Sequence, residues 1–337
     1  MGYNVALNFE DGVTRFIECV GNETVADASY RVGINIPLDC RDGACGTCKA
    51  MVESGAYDGG DYIEDALTDE EAAEGYGLAC QMRPKSDLVL RVAASSDACK
   101  TKPATHQGVI GVVTRLSDTT MSFTVQGTPL TFLPGQYVNV EVPGSGQKRS
   151  YSFSSPPGAA EAEFLVRNIP GGLMTTFLEG AQPGTAITFT GPVGGFYLRD
   201  VKRPVLMLAG GTGLAPFLSM LDRLAETGAA HPVHLVYGVT NDADLVEVEH
   251  LDSVAARLPG FSYSTCVADD ASAHPRRGYV TAHLDPAHLH GGDVDVYLCG
   301  PPAMVEAVRG HFTQAGITPA SFHFEKFSPS GVVSAAA

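Results

Sequence analysis

Asp39-Cys40-Arg41-Asp42-Gly43-Ala44-Cys45-Gly46-Thr47-Cys48 is the stretch that decides how this chain is read. Three cysteines stand at C-x4-C-x2-C spacing, and 31 residues separate Cys48 from Cys80. That is the plant-type spacing for a 2Fe-2S cluster. Each tetrahedral iron takes two bridging sulfides and two protein thiolates, so the centre needs four sulfurs, and Cys40, Cys45, Cys48 and Cys80 supply them. A short loop wraps such a centre only if its backbone bends tightly; Gly43 and Gly46 permit the bend, and their N–H groups can point at the sulfurs. A zinc site would more often repeat the C-x2-C pair, and Cys80 stands alone. A C-x-x-C thiol redox motif would leave Cys40 and Cys80 unused.

The length of 337 residues suggests two or three domains, and 44% apolar residues are ample for packed cores. No run approaches 18 apolar residues, and the start, Met1-Gly2-Tyr3-Asn4, has neither a basic region nor a long apolar stretch. A reducing cytoplasm is therefore expected, with Cys19, Cys99 and Cys266 as unpaired core or near-surface thiols. The formal charge is −16, and residues 1–98 hold 18 acidic against 7 basic side chains, a net of −11. Such a balance argues against nucleic acid, which needs a basic footprint. It suits steering toward a basic protein surface, and equally plain solubility.

Around the cysteine loop, residues 3–20 alternate apolar and polar about Glu10-Asp11-Gly12, which predicts a β-hairpin. Thr24 caps a short helix from Val25 to Tyr30, residues 51–55 return as a strand, 64–75 are acidic with a helical pattern, and Leu88–Val92 is a closing strand. Residues 98–107 are polar with a proline and read as a linker after a first domain of residues 1–97. Residues 108–203 carry short strands punctuated by Gly and Pro, the pattern of a small antiparallel barrel. Within it, Pro170-Gly171-Gly172-Leu173-Met174-Thr175 is a glycine turn opening a helix, whose free N–H groups suit a pyrophosphate. From Pro204 to residue 330, apolar strands alternate with helices, which predicts a parallel α/β nucleotide domain before a tail at 331–337. Val205–Ala209 runs into Gly210-Gly211-Thr212-Gly213, and Val294–Cys299 into Gly300-Pro301. The first turn is not the G-x-G-x-x-G fingerprint and is a weak signal alone; its place at the carboxyl end of a buried strand strengthens it. His283, His288 and His290 cluster without further ligand pattern and read as a solvated loop.

Taken in order, Arg149-x-Tyr151-Ser152, the glycine turn with a hydroxyl at Thr175, Gly210-Gly211-Thr212-Gly213, Cys299-Gly300-Pro301 and Phe324-Glu325-Lys326-Phe327 resemble the ferredoxin–NADP reductase superfamily. With an amino-terminal plant-type ferredoxin, the whole resembles the reductase components of aromatic-ring oxygenases, nearest to those of the benzoate, toluate and anthranilate dioxygenases. Phe9–Phe16, Tyr62–Thr68 and Leu198–Pro204 carry the subgroup likeness. The resemblance implies a β-grasp ferredoxin, then an antiparallel flavin-binding barrel, then a parallel α/β nucleotide-binding domain. It implies FAD and NADH as cofactors beside the cluster, and a separate Rieske-type terminal oxygenase as partner. It places Arg149, Gly172, Met174 and Thr175 at the FAD pyrophosphate, Tyr151 against the isoalloxazine, and Ser152 at flavin N5. Gly210, Gly211, Thr212, Gly213, Gly300 and Pro301 would take the nicotinamide dinucleotide. Cys299 would sit near the hydride path, and Glu325, counted with Ser152 and Cys299 as catalytic, would close the far side of the flavin together with Phe327.

NADP recognition needs a basic residue for the 2′-phosphate, and Val239-Thr240-Asn241-Asp242-Ala243-Asp244-Leu245 has none, so NADH is expected. No C-x-H…C-x-x-H pair exists, so the chain is not itself a Rieske oxygenase. A reductase of a soluble methane or phenol monooxygenase has the same modules, and a non-catalytic electron-carrier or redox-sensing module would carry a vestigial nucleotide domain; both stay open here.

Overall fold

The computed structural model describes residues 2–127 and 130–327. The chain divides into two compact units, Met1–Ala104 with Gly191–Gly195 and Thr105–Thr190 with Phe196–Ala337. The tail expected at 331–337 lies outside the described residues.

The first unit runs β1 (Gly2–Phe9), β2 (Thr14–Val20), α1 (Val25–Arg31), β3 (Lys49–Ser54), β4 (Tyr57–Asp58), α2 (Asp69–Ala73), β5 (Tyr76–Leu78), β6 (Arg83–Pro84) and β7 (Leu88–Val92). Its five-stranded sheet has the order β2-β1-β7-β3-β5. β1 pairs antiparallel with β2 and parallel with β7, the mixed pairing of a β-grasp. Alternation puts Val5, Leu7 and Phe9 into the core, where Val25, Ala26 and Ala28 of α1 are also buried. The helical pattern expected over 64–75 becomes a helix only from Asp69. The reason is a capping box: Thr68 Oγ1 accepts from Glu71 N at 3.2 Å and Glu71 Oε2 accepts from Thr68 N at 3.1 Å, which fixes where the helix begins. The residues before it turn instead, with the N–H groups of Ala66 and Leu67 both donating to the Ile63 carbonyl. Residues 98–107 hold a short 3-10 turn, Ala98–Lys100, with Cys99 buried and its carbonyl accepting from Asn35 N at 2.7 Å.

The second unit opens with β8 (Ala104–Arg115), β9 (Thr120–Gly127), β10 (Tyr137–Val142), β11 (Gln147–Ser152), β12 (Ala162–Arg167), α3 (Leu173–Gly180) and β13 (Ala186–Val193). Six strands lie in the order β11-β10-β13-β8-β9-β12. A bridge between Phe153 and Phe164 joins the two ends of that order and closes the sheet into a barrel. Its interior is aromatic: Phe132 stacks on Phe153 at 3.8 Å, and Phe123 on Phe164 at 5.0 Å.

There follow β14 (Val205–Gly210), α4 (Ala215–Thr227), β15 (Val233–Val239), α5 (Val248–Arg257), β16 (Phe261–Val267), α6 (Pro286–Leu289), β17 (Asp295–Gly300), α7 (Pro302–Ala315) and β18 (Ser321–Lys326). The neighbouring strands pair parallel in the order β16-β15-β14-β17-β18. β14 comes first in the chain but sits in the middle, so the winding reverses between β14 and β17. Ligands of open parallel sheets bind in the crevice at such a reversal, beyond the carboxyl ends of the strands. β14 is buried on both faces, with Leu206, Met207, Leu208 and Ala209 fully covered, hence its unbroken apolar run. No helix among the described residues is long and apolar enough to cross a membrane.

The histidine loop differs from expectation. His288 stacks on His234 of β15 at 3.6 Å, with its Nδ1 buried, so it packs rather than lying in solvent. His283 Nε2 meets the Arg277 carbonyl at 2.9 Å, and His290 is exposed in the left-handed region.

Candidate functional site

In the first unit the cysteine loop lies between α1 and β3. Arg41, Gly43 and Gly46 all have positive φ, at 67°, 82° and 71°. A Cβ on Gly43 would stand 2.5 Å from the Asp61 carbonyl, and one on Gly46 2.9 Å from the Ala66 carbonyl. Only glycine fits where the 61–66 segment presses on the loop. Arg41 is held in its strained turn by Asp27, 2.9 Å from Nη1, by the Tyr30 ring, and by Gln81 Nε2, which donates to its carbonyl at 3.2 Å.

The four thiols meet as two pairs, Cys40 with Cys45 and Cys48 with Cys80. The Cys40 thiol donates to Cys45 and holds it down to about 6, while that bond and burial push Cys40 up. The Cys48 thiol likewise holds Cys80 down to about 7 against burial, with help from the Gly43 N–H and Gln81. Among the described residues no three ligating side chains close on one metal ion. Two thiol pairs are instead what a two-iron centre needs, with two protein sulfurs to each iron. The residues fit the cluster.

In the second unit β11 carries Arg149, Tyr151 and Ser152. The Arg149 guanidinium donates to the Lys148 carbonyl at 2.8 Å and to Gln147 Oε1 at 2.9 Å. Tyr151 packs edge-on against Phe123, and burial pushes its hydroxyl up. α3 begins at Gly172 with no side chain capping it, and a Cβ on Gly172 would lie 2.9 Å from the Ile169 carbonyl. Met174 is in the barrel core, and the Thr175 hydroxyl accepts from Ile169 N at 3.0 Å, so both side chains face inward. What this helix start offers outward is backbone N–H, which fits a pyrophosphate.

At the reversal between β14 and β17, Gly210 and Gly300 face each other. A Cβ on Gly210 would stand 2.5 Å from Met304 Sδ, and one on Gly300 2.7 Å from the same sulfur. Gly211 has φ of +55° with open space beyond it. Gly211-Thr212-Gly213-Leu214 is a 3-10 turn before α4, and a Cβ on Gly213 would lie 2.3 Å from the Cys299 carbonyl. Pro301 is exposed at the mouth of the crevice. Bare backbone lining a strand-end crevice fits a dinucleotide.

Cys299 and Glu325 are register partners on β17 and β18, and Ser152 Oγ donates to Glu325 Oε2 at 3.4 Å. Full burial pushes the Cys299 thiol well up, and the Glu325 charge adds to it. Phe327 N donates to the Gly300 carbonyl at 2.9 Å, and its ring packs against the nucleotide core. The fold thus gathers Ser152, Cys299 and Glu325 from three strands, with Gly300 and Phe327 adjacent.

Sequence reading missed Asp244, which is buried and accepts hydrogen bonds from Thr119 Oγ1, Ser117 Oγ and Asn241 Nδ2. It ties the loop after β15 to the turn between β8 and β9. The signal was another short capping pattern, Asn241 with Asp244. Asp242, the other acid of that loop, is exposed and accepts from Ser272 Oγ at 2.7 Å.

Three domain families match the chain: the 2Fe-2S iron-sulfur cluster binding domain over residues 8–85, the oxidoreductase FAD-binding domain over 109–197, and the oxidoreductase NAD-binding domain over 207–310. All four paired cysteines lie within the first. The chain is 57% identical to the toluate 1,2-dioxygenase electron transfer component of Pseudomonas putida, over 98% of this chain and 100% of that one. It is 52% identical to the 2-halobenzoate 1,2-dioxygenase electron transfer component of Burkholderia cepacia, over 98% and 99%. Among solved structures, an Amycolatopsis cytochrome P450 reductase superposes with a TM-score of 0.72 at 32% identity, over 97% of this chain and 100% of that one.

Proposed function

The chain belongs to the family of iron–sulfur flavoprotein reductases that are electron transfer components of oxygenases, and from that premise we propose that it is the NADH-dependent reductase of a two-component dioxygenase acting on a benzoate-type aromatic acid. The partner would be a Rieske-type terminal oxygenase, and the reaction would run in the cytoplasm, where eight unpaired cysteines are at home. Toluate and halobenzoate, named in its relatives, are both carboxylated aromatic rings.

When bound, FAD accepts a hydride from NADH and releases electrons singly, and the 2Fe-2S cluster relays them to the oxygenase. The chain's own residues hold, orient and shield. Cys40 with Cys45, and Cys48 with Cys80, would each hold one iron. The uncapped N–H groups at Gly172, Met174 and Thr175 would bind the FAD pyrophosphate. Arg149 would join them by exchanging its bonds to Lys148 and Gln147 for phosphate oxygens, which a guanidinium fork suits. Tyr151 would support the flavin ring. Gly210 to Gly213, Gly300 and Pro301 would let the nicotinamide dinucleotide approach the backbone, and Phe327 would close that side. Ser152 Oγ would hold a proton at the reacting edge of the flavin, with Glu325 as its partner. Cys299, buried and kept as the thiol, would fill the space beside them without adding charge.

The contact of Ser152 with Glu325 beside Cys299 is the observation that carries this reading, since it joins the barrel to the nucleotide sheet at the strand-end crevice. NADH is favoured because residues 239–245 hold no Lys or Arg for a 2′-phosphate and Asp242 is exposed among them. The test is steady-state turnover with both nucleotides, coupled to a purified benzoate-type oxygenase. NADH preference with stoichiometric diol formation is expected. Preference for NADPH, or coupling only to a phenol or alkane monooxygenase, would reject the reading.

A further inference from the structure

Tyr62 and Ile63 are 38% and 48% exposed, and their turn stands directly on the cysteine loop. Ile63 N donates to the Gly43 carbonyl at 3.2 Å, and the Gly43 N–H in turn donates to the Cys80 sulfur. The Ile63 carbonyl accepts from Ala66 N and Leu67 N at 3.0 and 3.2 Å, and both of those side chains are buried. The Ala66 carbonyl presses on Gly46, next to Cys45, the one exposed thiol of the four. The backbone of residues 61–67 is therefore committed inward, while two large apolar side chains are held out in water. Side chains on a backbone already fixed lose little freedom when a partner covers them.

Beside them Asp61, Glu64 and Asp65 are exposed, and none of the three has an ion-pair partner among the described residues. Asp27 and Asp58 of the same unit, by contrast, are matched by Arg41 and Lys85 at 2.9 and 3.7 Å. Unmatched carboxylates side by side repel one another, and a cationic surface relieves that repulsion. An apolar centre with a charged rim is the anatomy of a protein contact. Phe16 is more exposed, at 76%, but it lies on β2, the sheet edge opposite β5, which leads into Cys80.

We propose that Tyr62 and Ile63, rimmed by Asp61, Glu64 and Asp65, are where the electron-accepting oxygenase docks, through a face with an apolar recess ringed by Lys or Arg. The proposal deepens the functional reading above and rests on it. Residues 1–98 hold −11 of the total charge of −16, which leaves −5 for the rest of the chain. The second unit thus brings no excess of cations to this rim, and a separate basic surface is its complement. One electron would leave the centre for the partner's acceptor, with no bond made or broken and no proton moved.

The test is binding of the full-length protein to a purified benzoate-type oxygenase, read as a dissociation constant at low and at physiological ionic strength, beside anaerobic stopped-flow reduction of the iron centre by NADH. Ile63→Ser should weaken binding about 10-fold, the scale of an interface hot spot, with iron content and reduction by NADH unchanged. Glu64→Gln combined with Asp65→Asn should weaken it at low salt and flatten its salt dependence, because rim charges act through screened attraction. Parent affinity in both variants would overturn the proposal. So would slower reduction of the iron centre with oxygenase binding unchanged, which would give the face to this chain's own flavin unit. Self-association of the parent that Ile63→Ser abolishes would overturn it too, in favour of a second copy. If Ile63→Ser loses iron, the charge variant decides, and an unchanged salt dependence there overturns the proposal. A parent that does not bind the oxygenase at all would overturn the functional reading, and this inference with it.

Discussion

The cysteine loop and the strand-end crevice are built by opposite means. Three of the four thiols fall within residues 40–48, and the loop is shaped by two glycines that nothing larger could replace. Ser152 and Glu325 stand 173 residues apart and meet only because β11 ends where β18 ends. In the first site geometry is a matter of spacing and local backbone freedom. In the second it is a matter of strand order. The first should therefore fail through its ligands alone, the second through anything that displaces a strand end.

The largest effect expected is that of Cys48→Ala. Iron and acid-labile sulfide should be lost and oxygenase-coupled turnover abolished, while NADH-driven ferricyanide reduction persists; loss of both activities would show that the sites are not independent. Glu325→Gln tests the other side, with hydride transfer in anaerobic stopped-flow slowed between about 10² and 10³-fold and the iron content unchanged. Gly213→Ala should slow the same step by roughly 10²-fold, because its Cβ would push the turn off the Cys299 carbonyl; a full rate would mean that the crevice is not held by that contact.

The smallest effect concerns the nucleotide half alone. Asp222 and Glu247 hold His250 up at about 9, above its ordinary 6.5, against the opposing effect of burial. A histidine raised on folding stabilises fully below its unfolded value and loses that contribution as pH climbs through the folded one. Stability should therefore fall between pH 6.5 and 9 by on the order of 1–2 kcal/mol, discounted for partial exposure. Urea midpoints across that window should show the slope in the parent and lose it in His250→Gln.

The iron–sulfur domain, the order of the three folds and the apolar strands β14 and β17 were legible in the sequence because each is a local pattern. β16 and β18 were not picked out as strands. β16 lies at a sheet edge, where Ser262 and Ser264 turn polar groups toward His234, so its apolar run is broken. β18 is the opposite edge and is half-buried throughout. The acidic residues ahead of α2 mimic a helical pattern, and only the capping pair Thr68 and Glu71 marks where the helix begins. Asp244 stands in the acidic stretch 239–245, and nothing in that stretch signals that its bonds run to Ser117 and Thr119 of the barrel. The convergence of Ser152, Cys299 and Glu325 came only from the family likeness, since no spacing rule spans that distance.

The 173-residue separation of Ser152 and Glu325 also orders events in time. Closing a long loop is entropically dearer and slower than closing a short one, so the cysteine turn forms early and the Ser152–Glu325 junction late. A refolding chain would acquire its outlet for electrons before its inlet, and intermediates along the way would have nothing to discharge onto oxygen.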